Sequence, residues 1–154
     1  MLNIIAANSS EQLDTVRKIF REYEEFLGFD LCFQDFENEL ASLPGVYAPP
    51  AGRLYLAEYE NRLAGCVALK KIGPDICEMK RLYVKPEFRG KKLGRKLAEM
   101  IVEEGREIGY NKMRLDTLQR LPAALKLYRS MGFVETEPYV HNPHEDVVFM
   151  ELDL

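Results

Sequence analysis

The chain has 154 residues, of which 47% are apolar and 30% are charged. This length and balance predict one folded domain over residues 1–154 and exclude a disordered chain. A net charge of −4 argues against a nucleic-acid-binding protein, and no apolar run reaches the ~18 residues of a membrane span. Three cysteines without a CxxC spacing and the lack of a basic, apolar leader favour a cytoplasmic protein with no bound metal.

The first 43 residues predict one short strand and two helices. The strand covers residues 3–7. Ser9 is a candidate N-cap, and Gln12 completes a capping box three residues later. Apolar residues then recur at helical spacing as far as Gly28. A second, shorter helix is predicted over residues 34–43.

Residues 53–84 predict an antiparallel meander of three strands. The stretches 53–60, 62–72 and 76–84 are rich in apolar residues and are separated by short turns. Strands joined by such short turns pair with their sequence neighbours in an antiparallel way. We therefore expect a three-stranded sheet that ends just before a basic segment.

The second half of the chain predicts a helix over 93–108, a strand over 112–118, a helix from Pro122 to Gly132 and two closing strands, 133–140 and 146–154. A strand that follows a helix that follows a strand forms a βαβ unit with parallel pairing. The fold class is therefore α/β (α+β), with one mixed sheet and the order β-α-α-β-β-β-α-β-α-β-β. A single βαβ unit excludes a doubly wound dinucleotide-binding fold.

A basic, glycine-containing loop, RGKKLGRK at residues 89–96, lies between the meander and the next helix. A helix N-terminus presents free N–H groups and the positive end of its dipole, which together bind anions. The two glycines let the backbone approach a ligand closely, and five basic side chains concentrate positive charge. The loop is neither a Walker A motif nor GxGxxG. It predicts a polyanion site, such as one for pyrophosphate; a solvated basic helix start is the alternative.

The same stretch resembles the GNAT acyl-CoA N-acyltransferases. Their signature, Arg/Gln-x-x-Gly-x-Gly/Ala after a strand, is matched at its two ends by Arg89 and Gly94, and Lys92 stands where the family usually has glycine. Residues 124–133, ALKLYRSMGF, resemble the second family signature, A-x-x-L-Y-x-x-x-G-F. The order of elements also fits, so that the resemblance covers nearly the whole chain.

The resemblance implies acetyl-CoA as the co-substrate. In the family, the strand before the phosphate loop is bulged, splays from its neighbour and binds the pantetheine arm through its backbone. In this chain the apolar residues of that strand change phase near Arg81, a pattern compatible with a β-bulge. The CoA-binding residues carried over from the resemblance are Leu82, Tyr83, Val84, Arg89, Gly90, Lys91, Lys92, Leu93, Gly94 and Arg95.

Two residues are candidates for proton transfer. An amine acceptor with a pKa of ~10.4 must lose a proton before it attacks a thioester. Glu78, in the strand that leads into the phosphate loop, is the candidate base, directly or through water. Tyr128 is the candidate acid, since its hydroxyl lies near the thioester sulfur in the family. The alternatives are an exposed Glu78 paired with Lys80 and a Tyr128 that only packs in the core.

Other polar residues are given simpler interpretations. Cys66 and Cys77 are predicted as core residues rather than nucleophiles. His141 and His144 are predicted as surface histidines, since two ligands do not make a metal site. Asp116 either orients an amine or ends a strand.

In the resembled family the first helix and the loop after it help to form the acceptor site, and in this chain the region carries Tyr23, Glu24, Glu25, Phe26, Phe29 and Asp30. The resemblance implies that such acidic and aromatic residues bind a cationic amine or a peptide amine. The alternative for most of them is the solvated acidic face of an ordinary amphipathic helix.

These observations predict an N-acetyltransferase that transfers an acyl group directly from acetyl-CoA to an amine. A non-catalytic module that binds or senses acyl-CoA is the alternative, and a nucleic-acid-binding loop is a third, disfavoured by the overall acidity. The last strand is apolar. At the edge of the sheet it could pair with a second copy, so that a homodimer is one expectation.

Overall fold

The computed structural model describes the backbone of residues 1–154 and every side chain except that of Phe33. Over these residues it contains seven strands and four α-helices. The strands are β1 (Leu2–Ala6), β2 (Arg53–Tyr59), β3 (Arg62–Gly73), β4 (Ile76–Val84), β5 (Lys112–Leu118), β6 (Val134–Glu135) and β7 (Val147–Asp153). The helices are α1 (Ser10–Leu27), α2 (Phe36–Ser42), α3 (Leu93–Ile108) and α4 (Pro122–Ser130).

All strands form one mixed sheet in the order β1-β2-β3-β4-β5-β7-β6. Every neighbouring pair is antiparallel except β4 and β5, which α3 connects in parallel. The predicted meander, βαβ unit and fold class are confirmed. β7 lies between β5 and β6 rather than at an edge. The argument for a homodimer through an exposed last strand is therefore wrong.

The predicted start and end of α1 are confirmed. The Ser9 side chain accepts a hydrogen bond from the Gln12 N–H, and the Gln12 side chain accepts one from the Ser9 N–H. This reciprocal pair satisfies donors that the first turn of a helix leaves without partners. Gly28 ends the helix with φ +79°, a left-handed conformation that glycine adopts without strain.

The sheet separates two apolar cores. Helices α3 and α4 cover one face, where Leu97, Ile101 and Met113 are fully buried. Helices α1 and α2 cover the other, where Phe20 and Phe36 are buried. Consecutive residues of the central strands therefore face different cores. Among the described residues, no helix has the length and apolar character needed to cross a membrane.

The strand predicted over residues 133–140 is mostly wrong, because only Val134–Glu135 pairs with β7. The Thr136 N–H still donates to the Phe149 carbonyl at 2.8 Å, and then the chain leaves the sheet. Pro138 has no N–H to donate to a ladder, which explains why regular pairing stops here. The segment instead folds over the sheet, and the Tyr139 ring packs edge-on against Phe149 at 5.3 Å.

Candidate active site

The central feature is a cleft between β4 and β5. The two strands pair only through residues 76–78 and 112–114 and then diverge. The opening has a volume of about 380 Å³ and is lined by β4 from Met79 onward, by β5 from Leu115 onward, and by parts of α1 and α4. Because β4 has no neighbour on this side, its main-chain groups are available to a ligand.

A β-bulge bends β4 beside the cleft, as the change of phase predicted. Cys66 pairs with Tyr83 and Ala68 with Lys80, so two β4 residues lie opposite one β3 residue. Arg81 adopts φ +59°, which is rare for a residue with a side chain. Its guanidinium forms a bidentate ion pair with Glu39 of α2, at 2.8 and 3.0 Å. Helix α2 therefore holds the bulge in place.

The bulge also explains Gly65 of β3. A Cβ atom at this position would lie 2.5 Å from the Tyr83 carbonyl oxygen. This distance is shorter than any real Cβ contact, so that only glycine fits against the bulged strand without a backbone shift.

The N-terminus of α3 forms one end of the cleft. The N–H groups of Leu93, Gly94 and Arg95 have no acceptor among the described residues, as expected for the first turn of a helix. Lys92 caps the helix with φ +62° and ψ +24°. The lysine that replaces the usual family glycine therefore reaches the left-handed conformation itself, and the N–H groups after it remain open to an anion.

Two basic side chains of this loop, those of Arg89 and Lys91, contact other groups of the protein. The Arg89 Nε donates to the Val84 carbonyl at 3.2 Å, and its guanidinium lies 4.6 Å from the Phe26 ring centre. The Lys91 ammonium lies 5.5 Å from the Tyr59 ring centre. These contacts hold Arg89 and Lys91 against the protein, whereas the main-chain N–H groups of residues 93–95 are available to an anion.

Leu82, Tyr83 and Val84 all line the cleft. The Tyr83 hydroxyl donates to a Glu22 carboxylate oxygen at 2.9 Å, and its ring packs against Phe26 with centres 5.5 Å apart. Helix α1 is thereby attached to the end of β4. The family resemblance implies that these three residues bind CoA, and all three line the cleft.

Tyr128 reaches the cleft from α4 and is only 7% exposed. Its ring packs edge-on against Phe133 at 5.8 Å, and its hydroxyl has no hydrogen-bond partner among the described residues. Burial, together with the nearby Tyr23 and Asp116, raises the pKa of Tyr128 above its usual value. The phenol is therefore protonated at neutral pH and free to donate a proton into the cleft.

Glu78 lies where β4 and β5 are still paired, and it is not among the residues that line the cleft. It is 2% exposed, so the exposed carboxylate considered as an alternative is wrong. Its Oε2 accepts a hydrogen bond from the Tyr139 hydroxyl at 2.6 Å, and its Oε1 lies 3.8 Å from the Lys70 Nζ. Lys80, its predicted partner, instead donates to the Gln34 Oε1 at 2.8 Å.

Tyr139 and Lys70, which contact this carboxylate, and Gln34, which contacts Lys80, were not predicted from the sequence. Lys70 could have been found, because the tight turn after β3 places it opposite Glu78 in the register. Tyr139 and Gln34 lie in irregular segments far away in sequence. No local pattern identifies them.

Away from Arg89 the cleft is lined by the aromatic side chain of Phe29, whereas the acidic residues predicted from α1 and the loop after it, Glu24, Glu25 and Asp30, do not line it. Glu24 accepts the Leu31 N–H at 2.9 Å and Asp30 accepts the Cys32 N–H at 2.6 Å, so that both carboxylates stabilise the loop after α1. The prediction that Glu24 and Asp30 face the acceptor is therefore wrong.

Two segments meet over this end. The ring of Phe29, after α1, stacks on His144, from the segment before β7, with centres 3.8 Å apart. The Arg120 guanidinium lies 5.0 Å from the centre of the Phe29 ring. These contacts narrow the entrance opposite the α3 N-terminus. His141 is exposed as predicted, whereas His144 is half-buried.

The predicted core positions of Cys66 and Cys77 are confirmed. Cys66 and Cys77 lie in the two cores and do not line the cleft. Burial raises the pKa of both thiols, that of Cys77 to about 12. Since the thiolate is the nucleophile, neither cysteine is suited to form a covalent acyl intermediate.

Comparison of the chain with models of protein families identifies its family. Residues 13–133 match the model described as the acetyltransferase (GNAT) family. The chain belongs to the GNAT family. An uncharacterized N-acetyltransferase of Schizosaccharomyces pombe is 44% identical to this GNAT protein over 155 residues, which cover 99% of this chain and 95% of the relative.

Solved GNAT structures share the fold. An acetyltransferase of the GNAT family from Staphylococcus aureus matches with a TM-score of 0.82 at 18% identity, covering 99% of both chains. The PaiA N-acetyltransferase of Thermoplasma acidophilum, solved in complex with coenzyme A, matches with a TM-score of 0.74 at 21% identity, covering 100% of this chain and 99% of that one. The GNAT chain is thus an N-acetyltransferase by family and relatives.

Proposed function

We propose that this N-acetyltransferase transfers the acetyl group of acetyl-CoA directly to a primary amine that enters the cleft opposite the α3 N-terminus. The observation that carries the proposal is the divergence of β4 and β5. It leaves one continuous opening with anion-binding N–H groups at one end and aromatic side chains at the other. Acetyl-CoA supplies an activated thioester when bound.

The donor end of the cleft fits the pyrophosphate and the extended pantetheine arm of acetyl-CoA. The free N–H groups of residues 93–95 bind anionic oxygens, and the basic loop from Arg89 to Arg95 adds positive charge. The main chain of Leu82, Tyr83 and Val84 lies along the cleft without a neighbouring strand on that side. This main chain can therefore donate and accept hydrogen bonds with a pantetheine arm that lies parallel to β4.

Glu78 is the proton acceptor and acts through water. Its carboxylate lies beneath the cleft rather than in its lining, so that a water must connect it to the amine. Tyr139 and Lys70 hold the carboxylate in one orientation. The Lys70 side chain that pairs with this carboxylate is 32% exposed, so that the ion pair lies near solvent.

Tyr128 is the proton donor. As the amine nitrogen bonds to the acyl carbon and the carbon–sulfur bond breaks, the electron pair of that bond goes to sulfur. The Tyr128 hydroxyl supplies its proton there, and the phenol recovers one from solvent. In total, an ammonium and a thioester become an amide, a thiol and one released proton. Cys66 and Cys77 take no part, which favours direct transfer over an acyl-enzyme.

The activity is assigned to one domain over residues 1–154, because the cleft uses elements from α1 to the segment before β7. A cytosolic location is proposed as well. Its support is that Cys66 and Cys77 are free thiols in the folded chain, as in reducing compartments.

The test is amine-dependent release of CoA thiol. Purified protein and acetyl-CoA are incubated with amino acids, polyamines, aromatic amines and short peptides, and the product is identified by its mass. We expect thiol release with at least one class and an acetylated product in equal amount. Binding of acetyl-CoA without amine-dependent release in any class would contradict the proposal and favour a sensing module.

A further inference from the structure

Lys80 is a buried lysine that the transfer reaction does not use. It lies on β4 next to the bulge, lines the cleft and is 8% exposed. An ammonium group has three N–H donors. One donates to the Gln34 side chain at 2.8 Å, and no carboxylate of the described residues lies within ion-pair distance. The other donors have no acceptor among those residues.

A buried cation without a counter-ion is unfavourable. Burial lowers the pKa of Lys80, the neighbouring Arg81 guanidinium lowers it further, and the more distant Glu78 and Asp116 raise it. Arg81 already has its own counter-ion in Glu39. An anion that enters the cleft would therefore find in Lys80 a cation with donors to spare.

Asp116 lies on the opposite strand. It is half-buried, lines the cleft from β5 and accepts one hydrogen bond from the Asn142 side chain at 3.3 Å. Met113 and Leu115 face the core under α3, so that the alternation of β5 places Asp116 on the other face. The same alternation places Lys80 on that face of β4. Lys80 and Asp116 thus line the cleft from its two diverging strands and do not form an ion pair with each other.

We propose that the acceptor is a zwitterionic α-amino acid whose carboxylate binds Lys80 and whose amino group binds Asp116. The inference rests on the proposed function and names the substrate class of the same cleft. The surrounding residues Phe26, Leu27, Phe29 and Leu31 are apolar, which selects an apolar side chain. An amine without a carboxylate would leave Lys80 without an anion and place a second cation near it.

The test compares phenylalanine with phenethylamine, which lacks only the carboxylate. Wild-type protein is measured beside Lys80→Met, which keeps the length of the side chain and removes its charge. Lys71→Met, at an exposed position on β3, is the matched control. Rates are expressed per concentration of free amine, because the two amines differ in pKa. N-acetylphenylalanine and N-acetylphenethylamine are compared as inhibitors, which provides a binding readout.

We expect kcat/KM for phenylalanine to exceed that for phenethylamine at least about tenfold, a difference that Lys80→Met removes and Lys71→Met does not. N-acetylphenylalanine should inhibit the wild-type protein and Lys71→Met but not Lys80→Met. N-acetylphenethylamine should inhibit none of the three. Asp116→Asn should raise the KM for both amines, which identifies the amino end of the site.

Equal rates with both amines, or an unchanged preference in Lys80→Met, would overturn the amino-acid assignment and leave the acetyltransferase standing. Turnover of phenethylamine but not of phenylalanine would overturn it as well. Acetyl-CoA binding with no turnover of any amine in the wider set would count against the proposed function and, with it, the amino-acid assignment.

Discussion

The two ends of the cleft are built from different parts of the polypeptide. The donor end consists of main-chain groups, namely the first turn of α3 and the unpaired side of β4. The acceptor end consists of side chains from separate segments, including Lys80, Asp116 and Phe29. In the proposed function, main-chain groups bind the part that all acyl-CoA molecules share, and side chains distinguish one amine from another.

The two ends also differ in how they are held. The donor end depends on secondary structure, which keeps the N–H groups in place whatever side chains surround them. The acceptor end depends on long-range contacts, such as the stacking of Phe29 on His144 and the hydrogen bond from Tyr139 to Glu78. Substitutions should therefore separate binding of the donor from turnover of the acceptor.

The largest loss of activity is expected for a substitution of Tyr128. Tyr128→Phe keeps the ring that packs on Phe133 and removes the hydroxyl that is proposed to protonate the thiolate. We expect kcat to fall about 10²–10⁴-fold with the affinity for acetyl-CoA unchanged. Steady-state kinetics and calorimetry measure the two quantities.

Tyr110→Phe is the matched control, because this buried hydroxyl donates to the Ala51 carbonyl at 2.7 Å away from the cleft. It should lower stability by about 1 kcal/mol and leave kcat unchanged. Full activity in Tyr128→Phe would remove this tyrosine from the mechanism.

Glu78→Gln is expected to lower kcat by about 10²-fold at neutral pH, because the amine then keeps its proton. The loss should shrink as the pH rises toward the pKa of the amine, since more acceptor arrives deprotonated. A pH profile of kcat/KM measures this. Tyr139→Phe, which keeps the carboxylate and removes its hydrogen bond, should have a smaller effect. A loss that is equal at every pH would show that Glu78 is not the base.

Gly94→Asp distinguishes anion binding from helix stability. A Cβ at Gly94 has its nearest neighbour, Val84 Cγ2, at 3.9 Å, so both aspartate and alanine fit. An acidic side chain in the first turn stabilises a helix by about 0.3–1 kcal/mol but repels a pyrophosphate. Acetyl-CoA should bind about 10–100-fold more weakly while Tm rises or stays constant.

Gly94→Ala is the control for this change and should keep most of the affinity, because it adds a methyl group without charge. Calorimetry and thermal denaturation of the two variants provide the comparison. Unchanged acetyl-CoA affinity in Gly94→Asp would mean that the α3 N-terminus does not hold the phosphates.

Gly65→Ala tests the close approach that shapes the bulge. The added Cβ would meet the Tyr83 carbonyl oxygen at 2.5 Å and force β3 and β4 apart. We expect the free energy of unfolding to fall by about 1–3 kcal/mol in urea denaturation. Gly73→Ala on the same strand meets only ordinary contacts at 3.8 Å and should change stability far less. Equal stability of the two variants would contradict the account of the bulge.

The smallest change in stability is expected for a substitution of Lys92, which adopts φ +62°. The left-handed conformation costs a residue with a side chain roughly 1–2 kcal/mol, and the greater freedom of glycine in the unfolded chain offsets part of the gain. Lys92→Gly should therefore raise the stability by at most about 1 kcal/mol, measured as a small rise in Tm. A clear fall in Tm would show that the lysine side chain stabilises the loop.

Several features with local signals were predicted well from the sequence. The capping box at Ser9, the change of phase near Arg81 and the glycine loop before α3 each lie within a few residues, and each is found in the structure. The last two shape the donor end of the cleft. Backbone geometry at such places depends on near neighbours, so a short window of sequence is sufficient.

The acceptor end could not be predicted in the same way. The short β6, the partners of Glu78 and the loop-stabilising role of Asp30 depend on segments that meet only in the folded chain. Residues 133–140 have the composition of a strand, but packing of Tyr139 over the sheet overrides that propensity. The lysine at position 80 has no local feature that indicates its burial in the cleft.

The most direct test of the account is a calorimetric titration of the wild-type protein with acetyl-CoA, repeated in the presence of adenosine diphosphate. We expect one acetyl-CoA per chain and competition by adenosine diphosphate, because both ligands place a pyrophosphate at the free N–H groups of residues 93–95. No detectable binding, or binding that adenosine diphosphate leaves unchanged, would contradict the claim that this cleft is an acyl-CoA site built on the α3 N-terminus.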